Sequence, residues 1–261
     1  MKTQNNNLKL GKLPAKDDKR NIKFKSILLP MLLPAIPITY SVDCQFKNLI
    51  PLRMFGNDRF GDCVIACRGN HTFRFEYFEQ NLCLDITDED VLNEYWKEGQ
   101  TSKFCLSRLF NSHPDKGLIM LDSLKHWRND GWIIGDREYD IFAFASIDYK
   151  NHDELKAAIY LLNGVDAGFM VPDSAMDQFR SGGIWDFTGY SPISGGHAIY
   201  LESYNPIGPI CLTWAKKQQM TWRFLDAYFD ECYGIVDNKN KWMKDNSPVD
   251  VQKLNGYLEE I

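Results

Sequence analysis

The sequence predicts an α+β fold. Segments with helical periodicity fill the chain up to residue 164, short branched or aromatic runs follow, and the two kinds do not alternate as a doubly wound parallel sheet requires. With 261 residues, 44% hydrophobic and 13% aromatic, the chain is long enough to bury a sizeable core in one large domain or two small ones. No internal repeat is present.

Residues 1 to about 26 are rich in Asn and Lys and read as a flexible, solvated arm. The apolar run 27–42, ILLPMLLPAIPITYSV, is punctuated by Pro30, Pro34 and Pro37, which forbid a helix; it reads as an extended segment laid along a domain surface. From Val64 onward, apolar residues at 64, 67, 75 and 78, with His71 among them, keep helical spacing and predict one central helix. Thr87 with Asp90 forms a capping-box-like start for DEDVLNEYWKEG, and DKGLIMLDSLKHWRNDGW repeats an amphipathic pattern until Gly131. NHDELKAAIYLLNG, 151–164, ends on its own glycine. DAGFMV, HAIYLESY, ICLTW and CYGIVD then read as strands, with NPIGP turning the second into the third as a hairpin. The polar C-terminus closes in a short helix for which SPVD offers Ser247 as cap, Pro248 in the first turn and Asp250 completing the box.

Charge and cysteine usage exclude several functions. The first 25 residues carry eight Lys/Arg against two Asp, so the net charge of −5 hides an acidic body for which nucleic acid is not an expected partner. Seven widely spaced cysteines, without a C-x-x-C pair or a His-x-x-x-His partner set, argue against both a disulfide framework and zinc; reduced thiols in an intracellular setting fit better. The basic lead before the apolar run imitates a secretion signal, but the three prolines, Asp17, Asp18 and the missing A-x-A site speak against one. No stretch is long and unbroken enough to span a bilayer, so no membrane partner is expected.

The stretch NDRFGDCVIAC, 57–67, sets a cysteine at the start of the central helix. There the unpaired N–H groups and the positive end of the dipole favour a thiolate. Gly61 permits a tight approach that leaves the thiol accessible; Asp62 is a candidate cap, although an anion beside a thiolate works against ionisation. A buried structural cysteine is the alternative. A nucleophilic Cys63 needs an imidazole from elsewhere in the chain. His71, four residues after Cys67, suits a metal pair but lacks a second pair of ligands. His113 and His152 read as loop or first-turn residues, and His126 lies on an amphipathic helix. His197 stands apart: it follows SGG and opens a strand, where glycines let a substrate backbone come close to the ring.

In this order the segments resemble the papain-like cysteine peptidases. PITYSVDCQFKNLIPLRMFGNDRFGDCVIAC is similar to the family's mature start, KGLIMLDSLKHWRNDGW to the helix and glycine lining the substrate cleft, and DQFRSGGIWDF…GGHAIYLESY to the approach to the catalytic histidine. His197 trails Cys63 by 134 residues, within the roughly 130–150 of papain-type chains. The NDxxGDC form and the run TWAKKQQMTWRFLDAYFDECYGI are similar to papain-fold proteins of bacteria and their phages. The resemblance implies a helical N-terminal lobe with a central Cys-bearing helix and a C-terminal antiparallel, barrel-like sheet.

It also implies site roles. Cys63 is the nucleophile and His197 the general base, then acid. Asn57, in the place of the family's glutamine, donates to the oxyanion with the Cys63 amide. Where the family has an asparagine before a tryptophan, this chain has Leu212 and Thr213 before Trp214, so Thr213 is the candidate orienter of His197 and Trp214 a shield for that hydrogen bond or a core residue. The expected organisation is a basic arm over 1–36 in the place of the family's propeptide, extended and lying near the cleft or tethering the domain to a larger assembly, a papain-like domain over 37–236 and a polar extension over 237–261. The expected activity is a thiol hydrolase of peptide or isopeptide bonds, needing no cofactor or metal, with a peptide or protein as partner. The alternative is a weak or inactive papain-fold binding module, for example a virion component assembled through its termini. An intracellular or virion-associated setting is expected.

Overall fold

The computed structural model describes residues 8–43, 50–101, 115–237, 241–243 and 247–259. After a two-residue strand β1 (Tyr40–Ser41), three helices follow: α1 (Cys63–Gln80), α2 (Asp88–Thr101) and α3 (Met120–Asp130). A hairpin of β2 (Trp132–Ile134) and β3 (Arg137–Tyr139) leads to β4 (Ala143–Ser146), α4 (His152–Leu161), β5 (Val165–Pro172) and α5 (Asp173–Ser181). Then come β6 (Ile193–Tyr204), β7 (Pro209–Thr213), β8 (Lys216–Gln219), α6 (Trp222–Tyr228), β9 (Phe229–Val236) and α7 (Val251–Glu259).

The main sheet runs β4-β9-β5-β6-β7-β8, with β1 added on β6, and every pairing in it is antiparallel. Its strands alternate faces with period two. Ala198, Tyr200, Leu212, Tyr233 and Ile235 pack with α1 and α3, while Ile199, Leu201, Cys211, Cys232 and Val236 pack with α4, α5 and α6. The sheet is thus covered on both faces. That explains why α1 is buried all round from Cys63 to Glu76, rather than showing the single apolar stripe its spacing suggested. Its polar residues are paired inside: Arg68 meets Glu94, Glu98 and Ser123, Arg74 meets Asp43, and His71 meets Asp166.

Local signals act where expected. Thr87 and Asp90 form a reciprocal box at the start of α2. Asn151 accepts from the Glu154 amide to cap α4, and Gly131 ends α3 at a φ of 58°. Asn205 and Gly208 close the β6–β7 hairpin. At α7 the structure corrects the expected cap: Asp250 accepts from Lys253, while Ser247 holds only Val249, so the helix begins three residues later than SPVD suggests.

The larger correction concerns the arm. The described part of the arm is held against the body at several points although many of its residues are exposed: Ile22, Phe24 and Ile27 are core residues, while Lys23 and Lys25 between them stay exposed. Ile22 accepts from Ser146 of β4, and Ile27 from the Asp250 amide before α7. Burying three large apolar side chains, each about 1.5–3 kcal/mol, outweighs the tendency of a lysine-rich segment to stay in water.

Candidate active site

Cys63 is the first residue of α1, and its sulfur meets the backbone of Ala198, the residue after His197 on β6. Helix and sheet therefore set Cys63 against the residue that follows His197. His197 Nε2 lies 2.6 Å from Thr213 Oγ1 on the neighbouring strand, and its ring stacks on Trp214 at 4.1 Å with planes 15° apart. Thr213 ends β7, and the next two residues turn into β8 with φ of 44° at Trp214 and 57° at Ala215. Such a turn normally needs Asn or Gly. A tryptophan held there marks strain retained to place its indole against the imidazole. With Nε2–H donating to Thr213, Nδ1 carries the free lone pair; it is buried and has no hydrogen-bond partner.

Asn57 lies in the loop just before α1, and its amide is engaged: Nδ2 donates to the Phe60 carbonyl at 3.0 Å and to Asp62 Oδ1 at 2.9 Å. Asp62 consequently makes no capping bond to the helix it precedes, contrary to its expected role. Burial pushes its carboxyl up to about 8, against the pull of Asn57, and the nearby Asp115 and Asp88 add to the rise.

Both reactive groups are covered, Cys63 and His197 being 1% exposed each. The thiol is therefore not accessible as Gly61 suggested, and the cover is the chain's own arm. Lys9 donates its amide to Asn57, Leu118 donates to Gly11, Lys12 donates to Gly196, and Leu13 donates to Leu118, all between 2.8 and 3.0 Å. Glycines make this approach possible. A Cβ on Gly11 would fall 1.7 Å from the Gly61 carbonyl, and one on Gly196 would fall 2.3 Å from the Lys12 carbonyl. The glycines before His197 thus admit a peptide backbone, as the sequence suggests, and that backbone is residues 8–13. Sequence reasoning allowed an extended arm near the cleft but did not name these residues, because nothing in KLGKLP distinguishes a bound strand from a polar tail.

Burial sets the protonation of the covered pair. Desolvation pushes the Cys63 thiol up to about 12, despite backbone hydrogen bonds from Ala198 and Gly11 and the charge of Lys12; Asp62 adds to the rise. Desolvation also pushes the His197 imidazole down to about 3. Both are neutral at pH 7. Uncovering them reverses both shifts, because water stabilises the charged form of each.

The other histidines are placed elsewhere. His71 Nδ1 is 2.8 Å from Asp166 Oδ1, fully buried, and Cys67 lies against the same carboxylate, so the expected metal-pair alternative is a core pairing. His152 bonds Asp226 and stacks on Trp222. His113 falls outside the described residues. Among the described residues, Glu94, Glu98 and His126 approach closely enough to hold a cation, but Arg68 already occupies both carboxylates. Cys63, Cys67, Cys83, Cys211 and Cys232 are free thiols; Cys44 and Cys105 lie outside the described residues.

No protein-family model matches the chain, and no curated protein matches it. Solved structures do. Xylellain, a cysteine protease from Xylella fastidiosa, aligns with a TM-score of 0.69 at 14% identity, over 88% of this chain and 97% of its own. The fold is papain-like. The cysteine protease and lectin-like domains of a surface-layer-associated protein of Clostridium difficile align at 0.59 and 10% identity, over 87% of this chain and 55% of that one. A cysteine protease of Carica candamarcensis aligns at 0.51 and 12%, over 77% and 99%. On this papain-like frame the helical lobe carries Cys63, and the antiparallel sheet carries His197 and Thr213.

Proposed function

We infer that the protein is a papain-like thiol hydrolase acting on a peptide or isopeptide bond, held in a self-covered state by its own N-terminal arm. The observation that carries this reading is the seating of extended backbone, residues 8–13, across Cys63 and beside His197 through main-chain hydrogen bonds on both walls. A groove that binds backbone there binds a polypeptide substrate there.

In the open state His197 Nδ1 takes the Cys63 proton, and the sulfur attacks the scissile carbonyl carbon. The Cys63 amide holds the oxyanion, joined by Asn57 once its amide leaves the Phe60 carbonyl. Collapse breaks the C–N bond, and His197 returns the proton to the leaving amine. Water, deprotonated by His197, then hydrolyses the thioester. Thr213 keeps Nε2–H pointed away from the sulfur throughout, and Trp214 shields that bond from water.

Incubation with a thiol-directed peptidyl electrophile followed by mass mapping tests this. Labelling at Cys63 that is lost in Cys63→Ala and in His197→Ala supports the reading; labelling confined to another cysteine overturns it. A second reading, a papain-fold binding module such as a phage-particle component, draws on one observation: both Asn57 amide protons are committed within the chain. A module keeps its partner in Cys63→Ala and shows no thiol of raised reactivity at neutral pH.

A further inference from the structure

The arm covers the site unevenly. Gly11 lies over the Cys63 sulfur, and the next residue, Lys12, sends its side chain into the floor of the groove, where it is wholly buried. Its Nζ stands 2.8 Å from Asp230 Oδ2 and 2.9 Å from Glu231 Oε1. Consecutive residues of a regular strand face opposite sides of the sheet, so two neighbouring carboxylates should not converge on one ammonium. They do so here because β9 is bulged. Gly168 pairs with Glu231 and Phe169 with Phe229, which leaves Asp230 as the extra residue and turns it toward the same pocket.

Gly168 completes the shape, since a Cβ there would lie 2.1 Å from Lys12 Cε. Tyr233 donates to the far oxygen of Glu231 at 3.0 Å and fixes its orientation. Asp230 Oδ1 is buried with no hydrogen-bond partner, so the floor holds acceptor capacity beyond what one ammonium fills. If the arm leaves, Glu231 and Asp230 lose the ammonium that pairs them and line the emptied pocket without a counter-charge. Such a group favours any ligand that brings a cation and penalises one that brings an apolar or acidic side chain.

We propose that Gly168, Asp230 and Glu231 form a specificity pocket for a lysine or arginine side chain, on the substrate residue adjacent to the one over Cys63, and that Lys12 occupies it in the covered state. This rests on the hydrolase reading and adds its substrate class: polypeptides with a basic residue beside the reacting bond.

Four peptidyl acyloxymethyl ketones test it. They are identical except for lysine, arginine, norleucine or glutamate at the residue next to the warhead-bearing one, and Cys63 labelling rates are measured on the full chain and on full-length Lys12→Met. The lysine and arginine probes should label at least tenfold faster than norleucine in both chains, with glutamate slowest and Lys12→Met faster with every probe. In Glu231→Gln and Asp230→Asn the ratio of lysine to norleucine rates should fall to about threefold or less. Comparing ratios within one preparation cancels any loss of folded protein. Cys63 labelling at equal rates by lysine and norleucine probes overturns the pocket and leaves the hydrolase reading standing. Absence of Cys63 labelling by all four probes in both chains overturns the hydrolase reading and the pocket with it.

Discussion

At the scale of single residues, the orienting bond is the point on which the proposed chemistry turns. Thr213 holds His197 Nε2 at 2.6 Å with a hydroxyl, a weaker partner for an imidazolium than an amide carbonyl or carboxylate. Thr213→Val keeps the volume and removes that acceptor; Cys63 labelling by a peptidyl ketone should fall by about tenfold or more, while Thr213→Ser should retain most of it. Asp62 gives a second prediction. Its folded carboxyl sits near 8, because of burial first, against an ordinary value near 3.9. A raised folded pKa means the stability it contributes is fully present below about pH 4 and is lost as pH rises toward 8. Asp62→Asn keeps the neutral shape, so its melting temperature should exceed wild type at pH 8.5 and show no gain at pH 4.5. The same change removes an anion beside Cys63 and should lower the pH at which iodoacetamide labels that thiol.

At the scale of elements, the arm and the sheet edge were opposite problems for sequence reading. The β6–β7 hairpin, the α2 box and the α4 cap follow from residues within a few positions of one another, and the structure keeps all three. The arm follows from contacts with Asn57, Leu118 and Gly196, far away in the chain, so its lysines argued for solvent while its partners decided for the groove. Its hold on the site depends on close backbone approach at Gly11. Gly11→Val places a branched side chain where a single Cβ already meets the Gly61 carbonyl at 1.7 Å, so residues 8–13 cannot seat. Iodoacetamide should then alkylate Cys63 at least tenfold faster than in the wild-type chain at pH 7.5, read by mass mapping; an unchanged rate would mean the arm does not control access.

At the scale of the whole molecule, the N-terminal segment serves two roles at different points along its length. Residues 8–13 cover the groove, and Ile22, Phe24 and Ile27 join the core beside α7 and β4. The second contact is part of the fold, so the opening proposed above is confined to 8–13 and leaves the rest of the arm on the body. Phe24→Ala should cost about 3–5 kcal/mol in a urea titration, as a full-size core truncation does. A surface tail would show no such loss. In the proposed hydrolase, covering and uncovering is then a local equilibrium at 8–13, with the thiol and imidazole neutral under the cover and free to ionise once water reaches them.

The sequence by itself determined the α+β class, helices α1 to α4 and the strand runs of β5, β6, β7 and β9, because periodicity, capping and turn residues are local properties; Cys63 and His197 stood out by their neighbours in the chain, and Thr213 only through the family resemblance. Tertiary structure alone decided three things: that α1 is buried on every side, that Asn57 spends its donors on Phe60 and Asp62, and that Lys12 meets Asp230 and Glu231. Each depends on which distant surfaces are brought together and on a one-residue bulge in β9.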